Sequence, residues 1–181
     1  MLESPAISEE ASPPFVAAPA ARLPWCYATS GLEALVQALP LRRRRVHAKE
    51  YVFRAGQERQ SLFLIHAGCF KTCVLSEDGR EKITGFRLRG DMLGLDALGM
   101  PNYACDAIAL DIGEVWELPQ AELRRALPDF QERLTVAMAV EIRRDWRWML
   151  AIGTLSAEQR VASFLLDLAA RMQSLGFSAC S

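Results

Sequence analysis

The sequence predicts an α+β fold in which a β jelly roll is followed by a long helix. Four glycines in turn-like settings, Gly56, Gly68, Gly79 and Gly90, lie 12, 11 and 11 residues apart. Short strand-like segments separated by evenly spaced turns are typical of an all-β sandwich or barrel. After Pro119 the apolar residues recur with the period of a helix, so the second part of the chain is expected to be helical.

Composition limits the class of protein. A chain of 181 residues with 51% hydrophobic residues can bury the core of one ordinary domain. The formal net charge of −1 gives the chain as a whole no cationic field for nucleic acid or anionic lipid. Its apolar runs are shorter than the ~20 residues of a membrane span, and a signal-peptide pattern is absent from its start. We therefore expect a cytoplasmic protein without membrane contact.

The first 24 residues contain five of the nine prolines and are predicted to be a disordered leader. Residues 25–119 are predicted to form the roll together with a short N-terminal helix, which has apolar spacing from Gly31 to Leu39 and ends at Pro40. Strands are expected at 62–66, 70–75 and 82–88, the second of them half-buried, and the last strand at 115–118.

Residues 120–154 are predicted to hold a short helix up to Leu127 and a long one from Pro128 to about Ile152. A further helix should begin at Ser156, which can form a capping box with Gln159, and end near Gly176.

One stripe of the long helix suggests a dimer. Its members follow three- and four-residue steps: Leu134, Met138, Ile142, Asp145, Met149 and Ile152. The stripe either packs only on the chain's own roll or forms a seam with a second copy of the helix. In a seam, Asp145 would face its own mate and need relief from Arg143, Arg144 or Arg147.

Four segments carry a family resemblance: Val52 to Gly56, Glu81 to Phe86, Gly90 to Gly94, and Arg171 to Ala179. With the glycine-punctuated roll and the long helix, they resemble the FNR branch of the CRP/FNR superfamily of bacterial transcription regulators over roughly residues 30–179. The resemblance implies a double-stranded β-helix like that of cyclic nucleotide-binding domains, a dimerisation helix and a C-terminal winged helix-turn-helix. Residues 155–181 are then expected to be the start of the DNA-binding domain, with its remainder absent from this chain.

The resemblance also gives a candidate ligand cassette, composed of Gly90, Asp91, Gly94, Leu95, Asp96 and Gly99. Cyclic nucleotide sensors place an acidic residue for the ribose where Leu95 stands here, and an arginine for the phosphate. Residues 91–113 contain four aspartates and neither lysine nor arginine. We therefore expect a corner of the roll in place of a phosphate clamp, with an uncharged ligand as the open alternative.

Cofactors known in the family do not match these residues. The oxygen sensors hold an iron–sulfur cluster with four cysteines, whereas this chain has Cys26 near its start and Trp116 at the late-strand position. Cys69 and Cys73 would stand about 13 Å apart along a strand, too far for one metal ion, and Cys105 is expected to be an ordinary thiol. Possible haem ligands, His47 and His66, are predicted to be structural or solvated, so neither a metal nor a cofactor is expected.

Two surface features of the predicted roll carry charged side chains. The hairpin tip with Ser76, Gly79 and Arg80 corresponds to the place where activators of the family contact RNA polymerase, although Arg80 replaces an acidic residue of the FNR branch. The basic run 42–45 is predicted to be a solvated edge of the roll. Motifs of phosphate loops, nucleophile elbows and HExxH metalloproteases are absent, so we do not expect an enzyme.

These observations predict the effector-sensing and dimerisation domain of a CRP/FNR-type regulator, which in full length would bind DNA and RNA polymerase. The signal would shift the roll against the long helix and so change the dimer arrangement. Two alternatives stay open: a stand-alone jelly-roll module for haem or an uncharged effector, and a truncated regulator that acts through mixed dimers.

Overall fold

A computed structural model describes residues 41–119, 121, 124, 125 and 128–176. Its strands are β1 Arg43–Val46, β2 Tyr51–Phe53, β3 Leu62–Ala67, β4 Phe70–Leu75, β5 Glu81–Arg87, β6 Met92–Leu93, β7 Asp106–Ala109 and β8 Gly113–Leu118. A 3-10 helix spans Leu95–Ala97, and the long helices are α1 Phe130–Thr154 and α2 Ala157–Ser174. The predicted leader and first helix lie outside the described residues, as does most of the short helix predicted over 120–127.

The strands form two four-stranded antiparallel sheets, with the orders β1-β8-β3-β6 and β2-β7-β4-β5. Strands that are distant in sequence are neighbours in each sheet, and consecutive strands such as β1 and β2 belong to different sheets. This interleaving is that of a jelly roll, so the predicted fold class is confirmed. The four evenly spaced glycines are turn residues with positive φ, as the spacing predicted.

Strand prediction was accurate where a segment was long enough to carry a pattern. The strands predicted over 62–66, 70–75 and 82–88 match β3, β4 and β5 to within one residue at each end, whereas β8 begins two residues before the predicted position. The other four strands have only two to four residues, too few for alternation to be visible, and were not predicted. The expected half-burial of β4 agrees with its pattern, because Phe70, Thr72 and Cys73 are buried whereas Lys71 and Val74 are partly exposed and Leu75 is exposed.

Two apolar clusters flank β3. Phe63 and Ile65 point into the interior between the sheets, where they join Phe53 and Phe70. Their neighbours Leu62 and Leu64 point to the opposite face and pack in a second cluster with residues of β6, β8 and α1, namely Met92, Trp116, Leu118, Phe130, Leu134 and Ala137. Both faces of β3 are thus covered along Leu62 to Ile65, which are all apolar, and the first turns of α1 are fixed to the roll.

The junction between the helices is held by two sets of caps. The capping box predicted for Ser156 and Gln159 is present, with both of its reciprocal hydrogen bonds. Arg160 of α2 donates to the carbonyls of Ile152 (2.6 Å) and Leu155 (2.9 Å), which satisfies acceptors at the end of α1. Within the described ranges, neither helix is long and apolar enough to cross a membrane.

Candidate functional site

The glycine-rich cassette forms a tight corner between β5 and β6. Gly90 adopts φ +83°, and its amide donates to the carbonyl of Ile65 at 2.8 Å. The amide of Ile65 in turn donates to the carbonyl of Asp91 at 3.0 Å, and the Asp91 carboxylate accepts the amide of Leu88 at 2.9 Å. Backbone and side chain of Asp91 are therefore both fixed by the strands of the roll.

Two buried arginines from the helices converge on Asp91. Arg144 of α1 is 7% exposed, and its guanidinium lies 3.5 Å from Oδ1 of Asp91. Arg171 of α2 is 9% exposed, donates to Oδ2 of Asp91 and also donates to the carbonyl of Phe86 at 3.1 Å. One carboxylate of the roll thus connects to both helices through charge-assisted hydrogen bonds.

Three more charged residues extend this cluster. Glu141 of α1 lies 2.5 Å from Arg87 of β5 and 3.1 Å from Arg144. Burial acts to lower the pKa of Arg144 and Arg171, and Asp91 opposes it with a smaller contribution from Asp167 of α2, so that the pKa is raised for Arg144 and lowered for Arg171. We call the six residues Arg87, Asp91, Glu141, Arg144, Asp167 and Arg171 the charged joint; three positive charges balance three negative ones, as buried charges require.

Asp91 and Arg144 have partners that the local sequence did not indicate. Residues 91–113 do lack lysine and arginine, but the positive charge beside Asp91 comes from helices that are remote in sequence. Arg144, considered above as relief for Asp145, pairs instead with Asp91 and Glu141. A signal was available: Leu134, Ala137, Glu141 and Arg144 follow steps of three and four residues, so two charges lie on the face of α1 that packs against the roll.

A pocket of about 380 Å³ lies between the cassette and α1. Apolar side chains form much of its lining: Val74, Met92, Leu93, Leu95, Leu98, Ala104, Met138 and Ile142. Gly94, Leu95 and Asp96 of the predicted cassette line it, whereas Gly90, Asp91 and Gly99 are outside the lining. The corner and the pocket are thus adjacent, and the cassette contributes to both.

Charge in the pocket is predominantly negative. Arg87 is the cation of the lining, and it already lies beside Glu141. Asp96 and Asp145 add two further carboxylates. Among the described residues of the lining, the cation therefore already has a carboxylate neighbour. An anionic phosphate would be repelled by Asp96 and Asp145.

The wall beside Gly94 is rigid. A Cβ atom at this residue would lie 3.1 Å from Cε1 of Tyr103, and the φ of +87° also disfavours any other residue. Tyr103 stacks on Phe53 with ring centroids 3.8 Å apart and donates its hydroxyl to the carbonyl of Ser61 at 2.6 Å. This end of the pocket is therefore held in shape by the core of the roll.

Among the cysteines that the structure describes, Cys73 and Cys105 are buried and Cys69 is partly buried. Burial, reinforced by Asp96, raises the pKa of the buried Cys105 thiol to about 12. Burial also raises the pKa of Cys69 and of Cys73. The part of the chain that the structure describes contains no cluster of histidine, cysteine and acidic residues suited to a metal ion.

The remaining candidates have structural contacts. His66 stacks on Trp116 with ring centroids 4.4 Å apart, and the guanidinium of Arg43 lies 5.1 Å from the centre of the same indole. In the basic edge strand, Arg44 donates to the carbonyls of Tyr51 (2.7 Å) and Val52 (3.0 Å), which ties the two sheets together. Three of the four arginines of the run are thereby engaged, since Arg42 also lies 3.7 Å from Glu117.

At the hairpin tip, Ser76 and Arg80 are joined by a backbone hydrogen bond of 2.9 Å, and Gly79 donates its amide to the carbonyl of Ser76 at 2.8 Å. The Arg80 side chain is 82% exposed and lies 3.0 Å from Asp78. The tip is thus a well-formed turn that presents charged side chains to solvent.

The predicted dimer stripe divides into two faces. Leu134 is only 2% exposed, because it packs in the cluster between α1 and the roll. Met138, Ile142, Met149 and Ile152 are exposed in the single chain, and so is Asp145 between them. The accessible stripe therefore begins at Met138.

Comparison with known proteins agrees with this architecture. The family model described as a cyclic nucleotide-binding domain matches residues 43–129. Transcriptional activator protein Anr of Pseudomonas protegens is 36% identical over 141 residues, which are 76% of this chain and 58% of that protein. The fumarate and nitrate reduction regulatory protein of Escherichia coli K12 is 34% identical over 140 residues, covering 76% of this chain and 56% of that protein. The chain thus spans just over half the length of these relatives.

Solved structures give the same result. FixK2 from Bradyrhizobium japonicum has a TM-score of 0.66 at 26% identity and covers 74% of this chain and 68% of that one. A CRP-family transcriptional regulator from Thermus thermophilus has a TM-score of 0.61 at 28% identity, covering 70% of this chain and 63% of that one. The chain therefore belongs to the CRP/FNR family of transcription regulators, and its roll is a sensory domain of the cyclic nucleotide-binding type.

Proposed function

We propose that this chain is the effector-sensing and dimerisation part of a CRP/FNR-type transcription regulator. In this proposal the regulator reads DNA through a C-terminal winged helix-turn-helix to which α2 leads. It senses its signal without the iron–sulfur ligands or the cyclic-nucleotide phosphate clamp known in the family.

The observation that carries the dimer proposal is the unpartnered apolar face of α1. Met149 and Ile152 are each 61% exposed, and Trp146 and Leu150 beside them are 58% and 57% exposed. Large apolar side chains clustered on one helix are typical of an interface between subunits. A second copy of α1 would cover this face in a parallel seam, with residues 138, 142, 145, 149 and 152 at its centre.

The proposal about the signal rests on the pocket and on Trp116. Trp116 is 2% exposed and packs in the cluster beneath α1, so the late-strand position has a buried indole where the cluster sensors have a thiolate. The acidic lining described above argues against a cyclic phosphate. An effector bound there would contact the roll and α1 together and shift the population of dimer arrangements.

The hairpin from Ser76 to Arg80 is the candidate contact with RNA polymerase in a full-length regulator. Its exposed Arg80 beside Asp78 supports a polar, charge-dependent contact. DNA contact is assigned to the winged helix-turn-helix, because the charge of this chain is close to neutral.

Sedimentation equilibrium of the whole chain tests the dimer. We expect a dimer, and Ile152→Glu should produce a monomer because it places two carboxylates in the apolar seam. Ile112→Glu is the matched control: Ile112 is 72% exposed on the roll, outside α1, and its replacement should leave the dimer intact. A monomeric wild-type chain at about 100 µM, well above the Kd of a stable dimer, would contradict the proposal.

A further inference from the structure

We propose that the pocket beside α1 binds a small apolar molecule that carries a cationic amine. The proposal deepens the proposed function and rests on it, because it names the chemical class of the effector for the same sensory domain.

The size and lining suit the apolar part of such a molecule. About 380 Å³ is within the range of small-molecule sites, which are mostly apolar with a few polar groups that orient the ligand. Met92 and Leu93 of β6 line this space together with Met138 and Ile142 of α1. Met92 and Leu93 are already buried, so a ring or short alkyl chain placed there would remove from water mainly the apolar surface of Met138 and Ile142.

The charges select the head group. Arg87 and Glu141 offset each other at 2.5 Å, which leaves Asp96 and Asp145 as the uncompensated charges of the described lining. Asp96 is fixed on the 3-10 helix, where its carboxylate accepts the amide of Ala104 at 3.2 Å, and Asp145 lies on the exposed stripe of α1. A protonated amine gains attraction from both carboxylates, whereas a neutral group gains none and an anion is repelled.

The hydroxyl groups of the lining are consistent with a donor-rich head group. Thr84 donates to Thr72 at 2.9 Å, and Thr72 lies 3.4 Å from the carbonyl of Gly85, so the oxygens of both threonines retain lone pairs that can accept. An ammonium group has three donors and no acceptor, and a pocket of carboxylates and hydroxyl oxygens complements it.

A ligand bound in the pocket would affect the charged joint through Glu141. Glu141 lines the pocket and contacts both Arg87 and Arg144, and Arg144 leads through Asp91 to Arg171 of α2. A cation near Glu141 competes with these arginines for the same carboxylate. The pocket is therefore placed where a bound amine changes the attachment of both helices to the roll.

Isothermal titration calorimetry of the whole chain at pH 7 tests the ligand class with three probes of similar shape: 2-phenylethylamine, 2-phenylethanol and 3-phenylpropanoate. We expect the amine to bind roughly tenfold more tightly than the alcohol, and the acid to give no saturable heat. Asp145→Asn should abolish most of the preference for the amine while leaving the alcohol unchanged. Glu132→Gln, an exposed carboxylate of α1 outside the lining, is the matched control.

Equal binding of amine and acid would overturn the inference, as would an absence of binding by all three probes. The same holds if Glu132→Gln reduces amine affinity as much as Asp145→Asn does. Asp96→Asn, which keeps an acceptor for Ala104, provides a second variant if Asp145→Asn fails to fold. A chain that dimerises but ignores the amine contradicts only this inference, whereas a monomeric chain that binds the amine contradicts the proposed function.

Discussion

Asp91 is the residue on which most of the organisation around the cassette depends. Its two carboxylate oxygens serve three different elements: the amide of Leu88 in the roll, Arg144 in α1 and Arg171 in α2. Each arginine is nearly inaccessible to water, so its charge has to be neutralised by the protein. Asp91, a member of the candidate ligand cassette, thus holds the two helices on the roll.

Replacement of Asp91 should therefore lower the free energy of unfolding more than replacement of a surface carboxylate does. Asp91→Asn keeps the size of the side chain and an acceptor for the Leu88 amide. It removes the negative charge that helps to neutralise the two buried arginines. We expect the free energy of unfolding to fall by about 3 kcal/mol, as for other broken buried ion pairs. Urea unfolding followed by circular dichroism measures it, and Glu77→Gln at the exposed hairpin tip should leave the midpoint unchanged.

Cys105 gives a pH-dependent prediction. Because burial beside Asp96 raises the pKa of its thiol from 9.0 to about 12, the folded state keeps the proton over a range in which the unfolded state loses it. The contribution of the protonated Cys105 thiol to the free energy of unfolding is fully present below pH 9, and it decreases as the pH rises from 9 towards 12. At about pH 8, iodoacetamide should leave Cys105 unmodified in the folded chain and alkylate it in urea, as measured by peptide mass spectrometry. Equal rates in the two states would contradict the assigned environment.

At the scale of elements, α1 has two neighbouring stripes with different partners. Phe130, Leu134, Ala137 and Arg144 face the roll and are buried. The adjacent stripe from Met138 to Ile152 remains exposed. The sequence pattern placed Leu134 in the same stripe as Met138, because residues four positions apart are neighbours on a helix surface. The packing of the roll on α1 shows that Leu134 belongs to the buried stripe.

Asp145 lies in the exposed stripe, and its replacement should strengthen the dimer. In a parallel seam two Asp145 carboxylates approach each other, and Arg144 is committed to Asp91 and Glu141 instead of relieving them. We expect Asp145→Ala to lower the dimer Kd by up to roughly tenfold in sedimentation equilibrium, with Glu132→Ala in the first turn of α1 as control. Unchanged or weaker association would place Asp145 away from the seam.

At the scale of the whole molecule, the sequence predicted what depends on local periodicity. Evenly spaced turn glycines and long apolar segments revealed the jelly roll, and the proline and cap signals placed both long helices. Strands of two to four residues carry too little pattern, and the charged joint joins residues 53 and 80 positions apart. Such contacts depend on how the helices fold back onto the roll, which local patterns do not encode.

The joint also explains how a sensory roll could communicate with the rest of a regulator. The ring of Phe164 in α2 packs against Phe86 of β5 and Trp148 of α1, with centroid distances of 5.3 Å and 5.9 Å. Arg171 of the same helix donates a hydrogen bond to Asp91. Roll, α1 and α2 therefore meet at one place beside the pocket. In the proposed function, a change in that place would shift both helices together.

We propose that Asp91 ties the cassette to the charged joint, beside an acidic pocket that does not bind a cyclic phosphate. Calorimetric titration of the whole chain with cyclic AMP tests it most directly. We predict no saturable heat up to about 1 mM nucleotide, because the only lining cation is already offset by Glu141 within the described pocket. Saturable binding with a Kd in the range of about 1–10 µM would contradict the claim.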